Sequence, residues 1–421
     1  DRKRIFISCP GQEMKILFLS HYFRPEGNAP AARVYEFAKR WAAAGHDVTV
    51  ITGAPNVPNG IVYAGYRNCF SREVMDGVNV RRVWTCLAAN RGTARRILNY
   101  VSFMFSAFLA GLAAEKPDVI VATSPQFFCA WAGLMLSICR RLPFVLEIRD
   151  IWPESITAVD AIRNRMIIRI LECMENTLYR RAAVIVTVGD GYRQRLIEKG
   201  VPSEKIHIVT NGISMDSGAV SPQTVAELKM KWCPAAPFVC VYAGTIGMAC
   251  GLDVVLHAAD RLRDRGREDV VFLLVGDGAS REQLEERCRS MKLRNVLFAG
   301  LQKRDDVSAF IAMADACLVH LKRTELFTTV FPSKILDAAA MKRPVLLGVE
   351  GFAAQWIRNA DCGICFEPEN AEELVSSILK LAADGDLCRR LGENGAACVK
   401  SGFNPDRLAS DYLGVLQHAV N

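Results

Sequence analysis

Between Phe327 and Gly348 the chain reads FTTVFPSKILDAAAMKRPVLLG, and three of its residues can do chemistry together. Pro332-Ser333-Lys334 runs directly into an alanine-rich segment, with Asp337 three residues beyond the lysine. Lys342-Arg343-Pro344 then closes that segment ahead of a short apolar strand. One reading is local: the loop caps a helix. The other is chemical: free backbone N–H groups, a hydroxyl and an ammonium converge at a helix N-terminus, where an anion is favoured. Asp337 would repel phosphate but accept hydrogen bonds from vicinal hydroxyls. A diphosphate beside a ribose satisfies both, so the pattern is that of a nucleotide-diphosphate site.

A second concentration of charge follows the apolar run PFVLEIRD, where Glu147, Arg149, Asp150 and Glu154 lie close together. Arg149 and Asp150 can close the loop as an ion pair, or they can line a cleft with Arg149 offered to a phosphate or hydroxyl. Further on, Asn211-Gly212 follows KIHIVT, Gly244-Thr245 follows FVCVYA, and Asp277-Gly278 follows VVFLLVG. Ends of parallel strands carry ligands in open α/β sheets, so these residues are expected on shared rims.

The elements that must position them alternate regularly. KILFLSH reads as a buried strand, RPEGNAPAAR as a loop, and about Pro30 to Ala44 as a helix with Val34, Phe37, Ala38 and Trp41 on one face. Gly45 ends that helix and DVTVIT is the next strand. The same βαβ grammar returns at FVCVYAG, with a helix from about Leu252 to Arg265 and then VVFLLVG. Two doubly wound parallel-sheet domains of the α/β class follow. The expected division is 14–212, a linker at 213–236, and 237–421, with the C-terminal helix returning to the first domain. Neither opening loop is a GxGxxG fingerprint, and no Walker lysine motif is present.

Composition bounds the rest. A chain of 421 residues is too long for one ordinary core. Residues 1–215 hold 28 Lys and Arg against 18 Asp and Glu, whereas the remainder is mildly acidic, so one half is suited to an anionic surface. The 15 cysteines are scattered, with a single CxxC at Cys362 and Cys365, which reads as a pair of small strand-end residues in a reducing, cytoplasmic setting. The stretch before Met14 is set aside as unlike the strand that follows. From Ile97 to Ala114 the chain is mostly apolar, with Arg91, Arg95 and Arg96 in front and Asn99, Ser102 and Ser106 on one helical face. Such a helix is buried in the domain, lies at a membrane interface, or, at the margin of length, spans one.

The order NAPAARVYEFAKRWAAAGHDVTVIT, ATSPQFF, EIRDIWPESI, VTNGI, YAGTIG, VGDG and PSKILDAAA resembles the family 4 retaining glycosyltransferases of the GT-B fold. Within them it is most similar to bacterial O-antigen and capsule enzymes of the WbuB type, which transfer N-acetyl amino-deoxysugars such as N-acetylfucosamine. The resemblance implies two Rossmann-like domains facing an interdomain cleft, with a UDP-sugar donor held by the second and a polyprenyl-diphosphate-linked sugar as acceptor at the first. It implies no metal and no other cofactor, because cationic side chains and helix N-termini serve the diphosphate. On this chain Lys334 would be the main cation, with Ser333 beside it and Asp337 at the ribose. Asn211, Gly244 and Thr245 would line the donor site, Asp277 and Gly278 would approach the base, and Gly27 and Asn28 the diphosphate. Arg149 and Asp150 stand where the wider family often has a His-Asp pair contacting the transferred sugar. The broad family carries Glu eight positions before its second acid; here that position is Thr329, and the second acid is Asp. Glu154, Arg91, Arg95 and Arg96 are assigned to the acceptor and membrane side. The expected setting is the inner face of the cell membrane, peripherally bound, with no nucleic-acid partner.

Two other classes share these features. A sugar-nucleotide 2-epimerase needs acid and base groups about one sugar carbon, and the cleft motifs offer no clear His or Glu pair. A silent sugar-nucleotide-binding protein would bind donor without turning it over.

Overall fold

The computed structural model describes residues 13–421 except 58–59, 88–92, 125, 155–163, 214–219 and 235–237, and except the side chains of 93–94 and 304–305. The chain divides into two compact units: one ends at Gly212 and takes back Pro405–Asn421, and the other is Ile213–Asn404.

The first unit is built on strands β1 (Lys15–Leu19), β2 (Asp47–Gly53), β3 (Ser71–Met75), β4 (Val78–Val83), β5 (Val119–Thr123), β6 (Phe144–Ile148), β7 (Val184–Thr187) and β8 (Ile206–Ile208). Their order is β3-β4-β2-β1-β5-β6-β7-β8. Pairing is parallel throughout except at the edge, where β3 runs antiparallel to β4. This hairpin departs from the all-parallel expectation. A tight turn at Asp76-Gly77, both at positive φ, lets β3 fold back on β4 without a crossover helix.

Helices α1 (Ala29–Ala43), α2 (Thr93–Leu112), α3 (Phe127–Arg140), α4 (Arg165–Arg181) and α5 (Asp190–Glu198) accompany this sheet. Helix α1 begins where Asn28 accepts from Ala31 N at 2.9 Å, with Pro30 in its first turn, and it buries the expected Val34, Phe37, Ala38 and Trp41. The C-terminal helix Pro405–Val420 packs against it: Trp41 Nε1 donates to Ala409 O at 3.0 Å, and Tyr412 sets its ring edge against Phe37 and Trp41. An indole buried with its N–H satisfied keeps the full gain of its apolar area.

The second unit has β9 (Phe238–Ala243), β10 (Val270–Val275), β11 (Val296–Gly300), β12 (Ala316–His320), β13 (Val345–Gly348) and β14 (Gly363–Cys365), parallel and ordered β11-β10-β9-β12-β13-β14. Around them lie α6 (Pro222–Trp232), α7 (Asp253–Asp264), α8 (Arg281–Ser290), α9 (Arg304–Ala312), α10 (Lys334–Ala340), α11 (Phe352–Ala360), α12 (Ala371–Ala383) and α13 (Gly385–Gly402). Cys240, Tyr242, Phe272 and Leu274 enter one core and Val239, Val241, Leu273 and Val275 the other. Two covered faces explain why these strands read as unbroken apolar runs.

In each sheet the winding direction reverses once beside the first strand, between β1 and β5 and between β9 and β12. Loops leaving adjacent strands there diverge, which opens a crevice at the carboxyl ends. The fold thus selects two places for ligands before any side chain is considered.

Candidate functional site

At the switch point of the second unit, β9 ends on Ala243, followed by Gly244. Its φ of +142° excludes an ordinary side chain, and a Cβ there would lie 2.2 Å from Lys334 Cε. Lys334 therefore crosses directly over the Gly244 backbone. Its Nζ donates to Tyr242 Oη at 2.8 Å and stands 4.5 Å from the centre of that ring. Tyr242 in turn donates to Thr245 O at 2.6 Å. Burial pushes the Tyr242 pKa well up, so the phenol keeps its proton, donates to the carbonyl and accepts from the ammonium. One hydroxyl thereby fixes both the loop and the cation.

Backbone packing sets the remainder of this rim. Gly244 N donates to Val275 O at 2.8 Å and Ile246 N to Asp277 O at 3.0 Å, zipping the 244–246 loop to the 276–278 loop. A Cβ on Gly276 would lie 1.9 Å from Gly244 O, and one on Gly278 2.4 Å from Ile246 O. Thr245 is exposed on this rim. The Asp277 carboxylate accepts from Gly278 N at 2.8 Å and faces Arg281 at 3.9 Å.

Ser333 flanks Lys334 without making a side-chain cap, so its hydroxyl does not serve the helix. The local-cap reading of this loop therefore lacks its hydrogen bond. Asp337 is half-buried one turn into α10, and its charge helps raise the pKa of the buried Cys317 thiol, behind the larger effect of burial. Thr329 donates to Leu326 O at 2.7 Å, closing a short 3-10 turn. Lys334, Ser333, Gly244 and Thr245 are thus gathered at one switch point, with Asp277 and Gly278 on the adjoining loop.

In the first unit, Ser124 at the end of β5 links to the Arg149-Asp150 turn: its hydroxyl meets Asp150 O and Arg149 N, each at 3.3 Å. Glu147 on β6 is wholly buried and accepts from Arg33 Nε at 2.9 Å. Burial alone would raise its pKa, but Arg33 and then Arg149 more than offset that and hold it below the ordinary value. Burial lowers Arg149 to about 10, which leaves it charged at neutral pH. Two of its guanidinium nitrogens, Nε and Nη1, are buried without a hydrogen-bond partner. Among the described residues Arg149 is not locked into the loop-closing ion pair that the sequence allows.

Asn211 belongs to this unit and accepts from Arg33 Nη1 at 3.1 Å. Asn28 uses its side-chain oxygen to cap α1, and Gly27 beside it is exposed. Glu154 is held by Arg195 at 3.0 Å and Lys199 at 2.8 Å, an ion network continued to Glu175. Arg95 and Arg96 are exposed on α2, and Arg91 lies outside the described residues.

Helix α2 turns its polar stripe toward the domain. The Asn99-Ser102-Ser106 stripe points inward, where Asn99 Nδ2 donates to Cys86 O at 2.7 Å and Ser102 Oγ accepts from Cys86 N at 2.8 Å. Ile97, Leu98, Phe105, Leu109 and Leu112 are left exposed. Among the described residues no helix is long and apolar enough to cross a membrane.

Sequence reasoning missed Arg33 and Tyr242 as members of these sites. Arg33 had a signal: it lies four residues before Phe37 and eight before Trp41, on the buried face, and Glu147 is the one charged residue of FVLEI. Tyr242 had less, reading as one more apolar strand residue two places before Gly244. Cys362 and Cys365 are free thiols, their pKa values raised by burial, in keeping with small packing residues. Among the described residues no three His, Cys, Asp or Glu side chains gather as a metal set.

Residues 28–212 match the family described as "Glycosyl transferase 4-like domain", and residues 233–397 the family "Glycosyl transferases group 1". The protein named as the colanic acid biosynthesis glycosyl transferase WcaI of Escherichia coli (strain K12) is 28% identical over 381 residues, 87% of this chain and 91% of that one. The lipopolysaccharide core biosynthesis glycosyltransferase LpsE of Rhizobium meliloti (strain 1021) is 26% identical over 240 residues, 56% of this chain and 65% of that one. Among solved structures, Anabaena Alr3699/HepE in complex with UDP and glucose matches with a TM-score of 0.72 at 17% identity, over 96% of this chain and 100% of that chain. That last likeness is one of fold. With both units matched in sequence and architecture, the chain belongs to the family 4 glycosyltransferases of the GT-B fold and is a sugar-transferring enzyme.

Proposed function

We propose that this glycosyltransferase is retaining and metal-independent, and moves an N-acetyl amino-deoxyhexose such as N-acetylfucosamine from a UDP-sugar to a polyprenyl-diphosphate-linked sugar, in assembly of O-antigen or capsular polysaccharide. The observation that carries the reading is the seat of Lys334, an ammonium braced by Tyr242 across Gly244 at the switch point of the second unit. An anion held there meets a fixed cation that needs no rearrangement as charge develops. The names of WcaI and LpsE support a polysaccharide or lipopolysaccharide product, and the UDP bound by Alr3699/HepE supports a uridine donor.

In this reading Lys334 and Ser333 hold the donor diphosphate, with Asp337 toward the ribose. Retention without a protein nucleophile follows from front-face displacement. The bond from the anomeric carbon to the diphosphate breaks as the acceptor hydroxyl approaches the same face, and the departing diphosphate takes the hydroxyl proton. The protein's task is to stabilise negative charge on the leaving group, which Lys334 does as a preorganised donor.

The first unit would meet the lipid-linked acceptor. Helix α3 packs against both α2 and α4, and all three present apolar side chains to solvent: the α2 set, Ile138, and Met166, Ile167 and Ile170. Arg95, Arg96, Arg165 and Arg169 are exposed among them. Apolar side chains interspersed with arginines suit the headgroup region of an anionic bilayer.

The test is nucleotide release from a panel of UDP- and GDP-sugars, with and without a polyprenyl-diphosphate N-acetylglucosamine acceptor, in EDTA throughout. Acceptor-dependent UDP release with one aminosugar donor is expected. Release only after a divalent ion is added would overturn metal independence, and conversion of the donor without acceptor would indicate an epimerase.

A further inference from the structure

The buried charges of the first unit leave one cation engaged and another open. Arg33, 5% exposed, uses Nε on Glu147, Nη1 on Thr210 O at 2.8 Å and on Asn211, and Nη2 on Val209 O at 2.7 Å. Every guanidinium nitrogen of Arg33 is satisfied. Arg149 lies two residues beyond Glu147 on the same strand line, yet its buried Nε and Nη1 and the Glu147 Oε2 all lack partners. A buried carboxylate near two guanidinium groups can bind either, and a bidentate pair is the strongest arrangement open to it. Arg33, 114 residues away in sequence, holds one oxygen of this carboxylate through a single hydrogen bond from Nε, and no bidentate pair is formed.

Neutral neighbours do not change that balance. Thr123 on β5 donates to Ser124 O at 2.9 Å. The Tyr412 hydroxyl, from the C-terminal helix, is buried near Glu147 with its proton retained, and Tyr192 on α5 is buried beside Arg149. The two guanidinium groups thus share one buried carboxylate, and the half-buried Asp150 beside Arg149 adds a second negative charge at the edge of the cluster.

We propose that Arg33 is a positioning residue for Arg149: by holding Glu147 it keeps the Arg149 guanidinium available to a phosphate or hydroxyl of the substrate instead of locked in an internal ion pair. The inference rests on the reading of Arg149 as a substrate-binding group. With Arg33 removed, Glu147 remains buried and Arg149 is the cation left to neutralise it.

Four variants test this through acceptor-dependent UDP release and thermal unfolding: Arg33→Met, Arg149→Met, and each combined with Glu147→Gln. Arg33→Met is expected to lower kcat by on the order of 10²-fold, towards the level of Arg149→Met. Arg33→Met/Glu147→Gln removes the carboxylate that captures Arg149 and is expected to recover to within about tenfold of wild type. Arg149→Met/Glu147→Gln is expected to stay at the level of Arg149→Met. A merely structural role would restore the melting temperature of the first double variant without restoring turnover, and that result overturns the proposal. Should Arg33→Met fail to fold, the double variant decides alone, and turnover as low as that of Arg149→Met overturns it. Wild-type turnover by Arg149→Met instead removes the underlying reading of Arg149.

Discussion

The two units prepare for charged ligands by different physical means. In the second unit the rim is made of backbone: Gly244, Gly276 and Gly278 approach one another so closely that loops interlock, and one lysine is laid across them. In the first, charge is stored in side chains, the buried Arg33 and Glu147 and the half-buried Arg149, with the buried Glu26 nearby in sequence to Gly27. Backbone sites tolerate no added atom but are indifferent to pH. Side-chain sites tolerate small changes of shape but answer to every change of charge. Each unit is therefore fragile in a different place.

The largest effect should come from crowding the backbone rim. Gly276→Ala places a Cβ 1.9 Å from Gly244 O at a φ of +140°, with backbone rather than a flexible side chain in the way. A loss of about 3 kcal/mol or more is expected from strain and lost loop contacts, seen in thermal unfolding and in UDP affinity. Unchanged UDP affinity would show that the loops need not interlock. Gly266→Ala is the contrast: φ is +66° and nothing lies within 4 Å, so about 1 kcal/mol is expected, without effect on UDP affinity.

The side-chain unit should instead respond to pH. Glu26 is buried and accepts from Asn56 N at 2.9 Å and Val57 N at 3.1 Å, yet burial pushes its pKa up from 4.5 to about 7. The folded state therefore holds this proton more tightly than the unfolded chain. The resulting stabilisation is complete below the unfolded pKa and is lost as pH rises through 7. Glu26→Gln keeps an acceptor for both N–H groups and cannot ionise. It should stabilise by on the order of 1–3 kcal/mol at pH 8.5 and by much less at pH 5. Equal melting shifts at both values would contradict the buried-charge account.

A smaller effect is expected at the exposed face of α2. Phe105→Ser with Leu109→Ser should weaken partition onto anionic vesicles by about tenfold, through lost apolar contact, while UDP binding is unchanged. Equal partition would remove α2 from the membrane surface.

Much of this fold was legible because strand and helix periods are local. The face of α1, the ends at Gly45 and Gly244, and the recurrence of the βαβ pattern were all readable within a few residues. The candidate site was legible where loops leave strands or open helices, as at Arg149 and Lys334. What escaped are pairings between residues far apart in the chain. Tyr242 meets Lys334 across 92 residues and Arg33 meets Glu147 across 114, so neither partner announces the other. The stripe on α2 turned inward for the same reason: its polar atoms serve the backbone of Cys86, and a polar face directed at a loop looks in sequence like one directed at water. The antiparallel β3 was missed because Asp76-Gly77 makes a hairpin inside what reads as a loop.

The central claim is that Lys334, braced by Tyr242, stabilises the leaving diphosphate. The direct measurement is turnover and UDP affinity of Lys334→Ala beside Tyr242→Phe, which removes only the brace. Lys334→Ala is expected to lower kcat by on the order of 10²-fold, and Tyr242→Phe by about tenfold, with both variants folded. Turnover by Lys334→Ala within a few-fold of wild type would contradict the account.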